Sequence, residues 1–278
     1  MSYKILKKNS LNPTVMLMDI QAPLIAKKAL AGQFIILRID EFGERIPLTI
    51  ADSNSEQGII TIIFQIVGYT TQRLSALNEG DSLLDVAGPL GNATPIPENA
   101  KRVCIIGGGV GCAIAYPQAL SLHKHNITND VIIGFRNKDL VILEKEFGQA
   151  CENLIVCTDD GSYGIKGFVT NALESNITSG INYDLIIAIG PVPMMKFVTI
   201  IAQKYNIPVI VSLNPIMIDG TGMCGCCRCT VGGVTKYACV DGPDFDGSLV
   251  DFDELIQRNN TYKTQEAHSC RLGGALNG

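Results

Sequence analysis

The sequence predicts a small antiparallel β-barrel, then an α/β domain with a doubly wound parallel sheet, and then a C-terminal cysteine-rich loop region. Short apolar runs fill residues 3–97, and longer strand, glycine turn and helix units fill residues 98–215. Five of the ten cysteines lie within the sixteen residues 224–239. A chain of 278 residues is long enough for two cores. The predicted boundaries are therefore 1–97, 98–215 and 216–278.

The barrel is predicted from five apolar or alternating runs with turn residues between them, at 15–20, 33–39, 46–50, 59–67 and 82–86. Runs of this length and spacing are typical of small barrels and sandwiches. The sequence Thr-Pro-Ile-Pro at 94–97 then predicts a stiff linker.

The second domain is predicted from five apolar strands, at 103–106, 131–135, 154–158, 185–189 and 209–213, that alternate with helix-length segments. This rhythm favours a parallel sheet with helices on both faces. Ligands of such sheets bind over the carboxyl ends of the strands. The turns that follow these strands are therefore the candidate binding residues.

The first of these turns contains Gly107, Gly108, Gly109 and Gly111. Glycines let backbone N–H groups approach a phosphate, and the following helix offers its positive N-terminus. The strict dinucleotide fingerprint requires glycine or alanine where this chain has Cys112. The turn predicts a dinucleotide site, and a turn needed only for tight packing of strand against helix is the alternative.

Further candidate nucleotide-binding residues follow the other strands. Arg136 and Lys138 stand where a 2′-phosphate of NADP would be reached, although solvated surface charge is an equal alternative. Asp160 lies in a run that is either a binding loop or a plain turn. The strand at 185–189 is followed by Gly190, Pro191 and Met194.

In the predicted barrel, Arg45 and Thr49 stand two residues either side of Pro47, on the same face of one strand. A guanidinium can hold a pyrophosphate with two hydrogen bonds, and a threonine hydroxyl can reach a ring nitrogen or carbonyl. The stretch 67–71 is a second phosphate-compatible segment, and 88–91 is a tight corner.

The cysteine run contains Cys224, Cys226, Cys227 and Cys229, with Cys239 shortly after. Thiolates this close can hold one centre, and iron–sulfur clusters and zinc are the usual occupants. The other cysteines are expected to be small, buried and inert: Cys104, Cys112, Cys151, Cys157 and Cys270.

The net charge is −5, and no cluster of lysine and arginine is present. This balance predicts no nucleic-acid partner and no anionic membrane partner. No segment reaches the length of a membrane span. The sequence therefore predicts a cytoplasmic protein, in which reduced cysteines bind metal rather than form disulfides.

The order of these motifs resembles the ferredoxin–NADP reductase superfamily. The motifs are Arg-x-Pro-x-Thr, Gly-Pro-Leu-Gly, the glycine-rich turn, Gly-Pro-x-Pro-Met-Met and the terminal cysteine loop. Within the superfamily the chain is similar to the small FAD/[2Fe–2S] subunits of NADH-dependent reduced ferredoxin:NADP oxidoreductase, the sulfide dehydrogenase subunit type. The electron-transfer subunits of dihydroorotate dehydrogenase are near relatives.

The resemblance implies that the [2Fe–2S] cluster is held by Asp219, Cys224, Cys227 and Cys239. A carboxylate at 219 is the mark of the ferredoxin:NADP branch, because the dihydroorotate branch has cysteine there. A four-cysteine site with Asp219 merely turning the loop, and a zinc site, are the alternatives.

The resemblance also implies an FAD site in the barrel. Arg45 would bind the FAD pyrophosphate, and Thr49 would be the catalytic residue near the reactive N5 edge of the flavin. Other expected FAD-binding residues are Pro47, Leu48, Gly68, Thr70 and Thr71.

The activity that the resemblance implies is hydride exchange between NAD(P)H and FAD. Single electrons would then pass through the [2Fe–2S] cluster to a larger flavin/iron–sulfur subunit, in a heterodimer or a larger complex that serves ferredoxin. The alternatives are a dihydroorotate dehydrogenase electron-transfer subunit and a non-catalytic, zinc-stabilised nucleotide-binding module.

Overall fold

The structure is a computed structural model that describes residues 3–268, so Cys270 lies outside the described residues. The first half is an antiparallel sheet of seven strands in the order β6-β1-β2-β5-β4-β3-β7. The strands are β1 (Tyr3–Asn12), β2 (Val15–Gln21), β3 (Phe34–Arg38), β4 (Ile46–Asn54), β5 (Ile59–Gln65), β6 (Ser82–Leu83) and β7 (Asp85–Leu90). Because only Leu84 separates the two outermost strands in sequence, the sheet curls into a nearly closed barrel, as predicted.

Strand β1 and the two barrel helices were not among the predicted elements. Ile5 is the one fully buried side chain of β1, so the strand lacks the apolar alternation that identifies the others. The helices are α1 (Pro23–Ala26) and α2 (Tyr69–Ala76). Helix α2 begins inside the predicted phosphate-compatible stretch.

The second half contains a parallel sheet in the order β11-β10-β9-β8-β12-β13. Its strands are β8 (Arg102–Gly108), β9 (Thr128–Phe135), β10 (Asn153–Thr158), β11 (Ile165–Lys166), β12 (Leu185–Ile189) and β13 (Val209–Ser212). The helices between them are α3 (Gly111–Lys124), α4 (Glu144–Ala150), α5 (Val169–Thr178) and α6 (Val192–Lys204). All five predicted strands are present, and the doubly wound parallel sheet is confirmed.

Alternating side chains of the central strands serve two separate cores. Val103 and Ile105 of β8 pack beneath α3 and α4. Cys104 and Ile106 pack on the opposite face, beneath α5 and α6. This division follows from the two-residue period of a strand buried on both faces. No helix within residues 3–268 has the length and apolar character needed to cross a membrane.

The cysteine-rich region is integrated into the second half. It forms a hairpin of β14 (Arg228–Val231) and β15 (Val234–Tyr237), then β16 (Asp244–Asp246) and α7 (Phe252–Asn259). Strand β16 pairs antiparallel with β13 and becomes the seventh strand of the sheet. The side chains of Cys227, Cys229 and Cys239 belong to the core beneath α5 and α6. The predicted domain boundaries stay predictions.

The linker that leaves the barrel is held by the segment after Cys239. The N–H of Asn92 donates to the carbonyl of Gly242 at 2.7 Å, and its Nδ2 donates to the carbonyl of Val240 at 3.1 Å. The hydroxyl of Thr94 donates to the carboxylate of Asp244. The C-terminal region therefore fixes the chain between the barrel and the sheet.

Candidate functional site

One cavity, of about 770 Å³, lies over the carboxyl ends of β8, β9, β10 and β12, and we name it the sheet-edge cavity. The barrel contributes Asn12, Thr14 and Gln65 to its wall, none of which the sequence indicated. The predicted residues that the fold brings together in its wall are Gly108, Gly109, Gly111, Arg136, Gly190, Pro191 and Met194.

The glycines of the first turn serve two different purposes. A Cβ at Gly108 would lie 2.5 Å from Sδ of Met194, and a Cβ at Gly111 would lie 2.5 Å from the carbonyl oxygen of Ile189. Gly109 has a φ of +55° and open space where a Cβ would be. Gly108 and Gly111 therefore allow the strand and helices to pack closely, whereas Gly109 leaves backbone open toward the cavity.

Cys112 is accommodated by a neighbouring glycine. A Cβ at Gly107 would lie 2.9 Å from Sγ of Cys112, so the thiol occupies space that a side chain at 107 would need. Gly107 itself is buried in β8 and is not among the residues that line the cavity. Burial raises the pKa of the Cys112 thiol, which stays uncharged.

Lys138 and Asp160 make contacts away from the lining of the sheet-edge cavity. Nζ of Lys138 lies 5.7 Å from the centre of the Tyr163 ring. Asp160 accepts hydrogen bonds from the Ser162 hydroxyl at 2.7 Å and the Ser162 N–H at 2.9 Å, and these bonds lower the pKa of its carboxyl group. Asp159 lines the cavity instead. The nucleotide-binding roles of Lys138 and Asp160 stay predictions.

A second cavity, of about 1260 Å³, is assembled from the barrel, the cysteine region and the segment from α7 onward, and we name it the barrel-side cavity. Gly68, Thr70 and Thr71, which the sequence predicted, line it. Tyr69, from the predicted stretch 67–71, and Cys226, from the cysteine run, also line it. Its other polar and aromatic lining residues were not predicted from the sequence, and they include Glu44, Arg228, Arg258, Tyr262 and Lys263.

The start of α2 forms one wall of the barrel-side cavity. Oγ1 of Thr71 accepts hydrogen bonds from the N–H groups of Val67 and Gly68, each at 3.0 Å. The Thr70 hydroxyl donates to Oε2 of Glu44 at 2.6 Å. Both hydroxyls thus stabilise the protein itself. The first N–H groups of the helix lack intrahelical acceptors, and they are the donors that an anion in this cavity would meet.

The predicted flavin stretch lies on and just before β4. Thr49 is half-buried there and pairs with Phe34 on β3. Nη2 of Arg45 lies 3.7 Å from Oδ2 of Asp85. Within 45–49, Ile46 is the one residue among those lining the barrel-side cavity. The roles predicted for Arg45, Pro47, Leu48 and Thr49 stay predictions.

The segment 212–216 forms a wall that the two cavities share. Ser212 and Asn214 line the sheet-edge cavity, while Pro215 and Ile216 line the barrel-side cavity. Nδ2 of Asn259, another residue of the barrel-side cavity, donates to the carbonyl of Asn214 at 3.5 Å. Ligands in the two cavities would therefore lie on either side of one short segment.

The predicted cluster ligands form two neighbouring pairs. The sulfur atoms of Cys227 and Cys239 lie 3.2 Å apart, and both residues are buried. Oδ2 of Asp219 accepts the N–H of Cys224 at 3.0 Å, and Oδ1 accepts the N–H of Thr221 at 2.7 Å. The hydrogen bond from Thr221, followed by that from Cys224, lowers the pKa of Asp219, so its side chain is a carboxylate.

No set of three or more cysteine, histidine or acidic side chains within residues 3–268 surrounds a single point where one metal ion could bind. A [2Fe–2S] cluster has two irons, each with two protein ligands. The predicted set, three thiols and one carboxylate, has the number of donors and the predominantly sulfur chemistry that this group requires.

Cys226 and Cys229 have other surroundings. The N–H of Cys226 donates to the sulfur of Cys224, which lowers the pKa of that thiol. Cys229 lies on β14, is 2% exposed, and its Sγ lies 3.8 Å from the carbonyl oxygen of Lys236. Burial raises the pKa of Cys229 to about 12. Cys227 and Cys239 are equally buried, so burial alone does not separate Cys229 from the predicted ligands. The sulfur of Cys229 lies against the carbonyl of Lys236, whereas the sulfurs of Cys227 and Cys239 lie 3.2 Å apart.

The isolated cysteines agree with the expectation of inert side chains. Cys104, Cys112 and Cys157 are buried, and Cys151 is half-buried. Desolvation raises the pKa of both Cys151 and Cys157 to about 11. Thiols with such pKa values are poor nucleophiles at neutral pH.

Comparison with known proteins agrees with this geometry. Residues 214–251 match the iron–sulfur cluster binding domain of dihydroorotate dehydrogenase B. A Thermotoga maritima homologue of the electron transfer subunit of dihydroorotate dehydrogenase B (NAD(+)) is 47% identical, with 95% of this chain and 92% of the relative covered. The electron transfer subunit from Bacillus pumilus is 33% identical, with 84% and 91% covered.

A solved structure of NADH-dependent reduced ferredoxin-NADP oxidoreductase, studied for flavin-based electron bifurcation, contains a chain that superimposes with a TM-score of 0.91. Its identity is 45%, with 97% of this chain and 96% of that chain covered. The ferredoxin reductase of carbazole 1,9a-dioxygenase shares the fold alone, with a TM-score of 0.65 and 16% identity over 75% of this chain and 66% of that one.

These matches confirm the predicted superfamily and the predicted class, a flavin and iron–sulfur oxidoreductase subunit that transfers electrons. They also favour an iron–sulfur centre over the zinc alternative. The chain belongs to the family of dihydroorotate dehydrogenase B electron transfer subunits and their homologues.

Proposed function

We propose that the chain exchanges a hydride between NAD(P)H and FAD and passes single electrons through a [2Fe–2S] cluster to a larger partner subunit. The observation that carries the proposal is the adjacency of three sites. The segment 212–216 separates the two cavities, and Cys226 of the cysteine loop lines the barrel-side cavity. A path for electrons between separate cofactors requires this adjacency.

The sheet-edge cavity would hold NAD(P)H. The open backbone at Gly109 and the N-terminus of α3 would receive the diphosphate, as in other doubly wound sheets. Arg136 lines the same cavity at the end of β9 and would contact the ribose or its 2′-phosphate. Gly190 and Pro191 would bring the end of β12 close to the nicotinamide.

The barrel-side cavity would hold FAD. Its phosphates would meet the N–H groups at the start of α2 together with Arg228 and Arg258, and Arg45, the residue just before β4, would reach them as well. Thr49 would stand near the flavin ring. When bound, FAD supplies two-electron chemistry toward nicotinamide and one-electron chemistry toward iron–sulfur clusters. The protein contributes position and charge, and no acid–base pair is required for hydride transfer.

The cluster would be held by two pairs of ligands, Asp219 with Cys224 and Cys227 with Cys239. A carboxylate has about four acceptor positions, so the two N–H bonds to Asp219 leave capacity for iron. The 3.2 Å separation of the Cys227 and Cys239 sulfurs, against the contact of the Cys229 sulfur with the carbonyl of Lys236, supports this set over the four-cysteine alternative. We place the protein in the cytoplasm, where these thiols stay reduced.

For the partner we propose a larger subunit of the ferredoxin:NADP oxidoreductase type. The likeness to that enzyme is 45% over 97% of the chain, beside 47% over 95% for the Thermotoga maritima homologue and 33% over 84% for the Bacillus pumilus subunit. A carboxylate at Asp219 supports the same choice. The catalytic subunit of a dihydroorotate dehydrogenase is the second candidate partner, on the strength of the domain match at 214–251.

Anaerobic purification with analysis of flavin, iron, sulfide and zinc tests the proposal. We expect about one FAD and about two irons per chain, and reduction of an artificial dye by NAD(P)H. The isolated chain should not couple ferredoxin to a nicotinamide pool, but it should do so after reconstitution with a large subunit of the ferredoxin type. Zinc in place of iron, or a colourless protein, would exclude the proposed function.

A further inference from the structure

Arg258 lies where the cysteine loop and the barrel-side cavity meet. It is in the last turn of α7, whose Phe252 and Leu255 are buried in the same core as Cys227 and Cys239. The carboxylate of Asp251 accepts the N–H of Glu254 at 2.9 Å and caps the start of this helix. The position of Arg258 is therefore fixed relative to the cysteine loop.

The guanidinium of Arg258 holds the loop between two predicted cluster ligands. Its Nη2 donates to the carbonyl of Cys226 at 3.3 Å. Because the peptide is planar and trans, fixing this carbonyl also fixes the direction of the N–H of Cys227. Hydrogen bonds to the sulfurs of an iron–sulfur cluster are among the main determinants of its reduction potential. The orientation of this peptide therefore matters for a cluster bound here.

The same side chain lines the barrel-side cavity, across from the start of α2. A guanidinium has five donors, and the bond to Cys226 uses one of them. Nε of Arg258 is buried and has no partner among the described residues. An unpaired buried donor on a cation costs free energy, and such costs concentrate at functional positions.

We propose that Arg258 is a positioning residue that couples the cavity to the cluster loop, an inference that rests on the FAD and cluster sites proposed above. Its guanidinium holds the Cys226 carbonyl and presents positive charge to the phosphates of FAD. Occupancy of the cavity therefore orders the loop that holds the cluster. The charge also stabilises the reduced cluster, which carries one more electron.

The test uses the purified full chain with and without FAD, as wild type, Arg258→Ala, Arg258→Lys and the control Lys145→Ala. Lys145 is exposed on α4 and lines neither cavity. The readouts are FAD affinity, the rate of iron release to a ferrous chelator, and a redox titration of the cluster followed by electron paramagnetic resonance. Wild type and Lys145→Ala should release iron more slowly when FAD is bound and should have the same cluster potential.

In Arg258→Ala, FAD affinity should fall about tenfold, the effect of one charge-assisted hydrogen bond. FAD should no longer slow iron release, and the cluster potential should move to a more negative value. Arg258→Lys keeps the charge but replaces the planar fork with one ammonium. Its cluster potential should stay close to the wild-type value, but bound FAD should no longer slow the release of iron.

The proposal is overturned if Arg258→Ala keeps both the protection by FAD and the wild-type potential. If Arg258→Ala does not fold, Arg258→Lys decides, and wild-type protection in that variant would reduce Arg258 to a structural role. Absence of flavin or iron from the wild-type chain would overturn the proposed function, and this result would be seen before any variant is measured.

Discussion

The sheet-edge cavity and the barrel-side cavity are built in different ways. The sheet-edge cavity takes most of its wall from turns that follow neighbouring strands of one sheet. The barrel-side cavity takes its wall from the barrel, the cysteine loop and the segment from α7 onward. One site follows from the topology of a single sheet, and the other exists only when three distant parts of the chain pack together. Damage to the C-terminal region should therefore affect the barrel-side cavity far more.

The largest effect is expected from Cys227→Ala. Removal of this thiol should abolish iron binding, and the loosened loop should also lower FAD retention, because its neighbours Cys226 and Arg228 line the barrel-side cavity. Binding of ADP-ribose in the sheet-edge cavity should survive. Iron and flavin analysis with calorimetry of ADP-ribose checks this.

Cys229→Ala is the matched control, since Cys229 and Cys227 are each 2% exposed. It should keep its iron and lose roughly 1 kcal/mol of stability. Loss of iron from this control would make Cys229 a ligand and restore the four-cysteine site.

The converse experiment is Gly111→Ala. Its new Cβ would lie 2.5 Å from the carbonyl oxygen of Ile189 and 2.7 Å from Cα of Gly190, and neither backbone atom can move away easily. We expect a loss of about 1–3 kcal/mol of stability and of nucleotide binding, with flavin content unchanged. Thermal unfolding and nucleotide titration measure the two effects.

Gly109→Ala separates packing from binding. Its Cβ meets open space, but the φ of +55° is unfavourable for alanine. It should cost about 1 kcal/mol of stability and weaken nucleotide binding. Equal stability losses in the two glycine variants would contradict their different roles.

Arg45→Ala tests the barrel side of the comparison. A charge-assisted bond to a phosphate contributes about 1.5–3 kcal/mol, so FAD affinity should fall by about tenfold or more. Arg73→Ala, which breaks a barrel ion pair with Asp40, is the control and should retain FAD. If Arg45→Ala retains FAD as wild type does, binding of the anionic part of the ligand depends on Arg228 and Arg258 rather than on Arg45.

Asp219→Cys should change the spectrum and reduction potential of the cluster, while FAD and the nucleotide still bind in their cavities. Thiolate replaces a carboxylate oxygen, so the cluster should persist with a shifted paramagnetic resonance spectrum and reduction potential. Flavin content and nucleotide affinity should not change. A spectrum and potential identical to those of the parent would place Asp219 outside the cluster ligands.

Asp244→Asn should have the smallest effect on cofactors, because Asp244 lines neither cavity in the described structure. Burial raises the pKa of its carboxyl group from 3.8 to about 6, although hydrogen bonds from Ser212 and Thr94 oppose the shift. Between about pH 4 and 6 the unfolded chain releases this proton and the folded chain retains it, so folding stability falls as pH rises. The decline should total at most about 3 kcal/mol.

Asparagine has no such proton, so Asp244→Asn should lack this decline. Denaturant unfolding at several pH values measures it, with wild type as the reference. The same pH dependence in both proteins would assign the decline to other groups.

The features that the sequence predicted correctly are those determined by residues close together in the chain. The strands of the parallel sheet are apolar runs, and their turns must meet at one edge, so seven residues that line the sheet-edge cavity were identified. Strand β1 was not predicted, because Ile5 is its one buried side chain and the strand therefore shows no apolar alternation. The hairpin of β14 and β15 was not predicted, because the cysteines of this segment were interpreted as cluster ligands. Arg258 had no local signal, because its partner Cys226 is 32 positions away.

The contacts of the linker have a consequence for synthesis on the ribosome. Asn92 and Thr94 find their partners Val240 and Asp244 148 and 150 positions later in the chain. The barrel residues emerge first and can pair their strands among themselves, and Thr94 can bond to Ala31 of the barrel and Gln118 of α3. The bonds from Asn92 and Thr94 to the C-terminal region form only after that last segment has left the exit tunnel. Nascent chains halted before residue 240 should therefore contain a barrel already packed on α3 through Val15, Ala51 and Ile63, and the C-terminal bonds to the linker should be among the last contacts acquired.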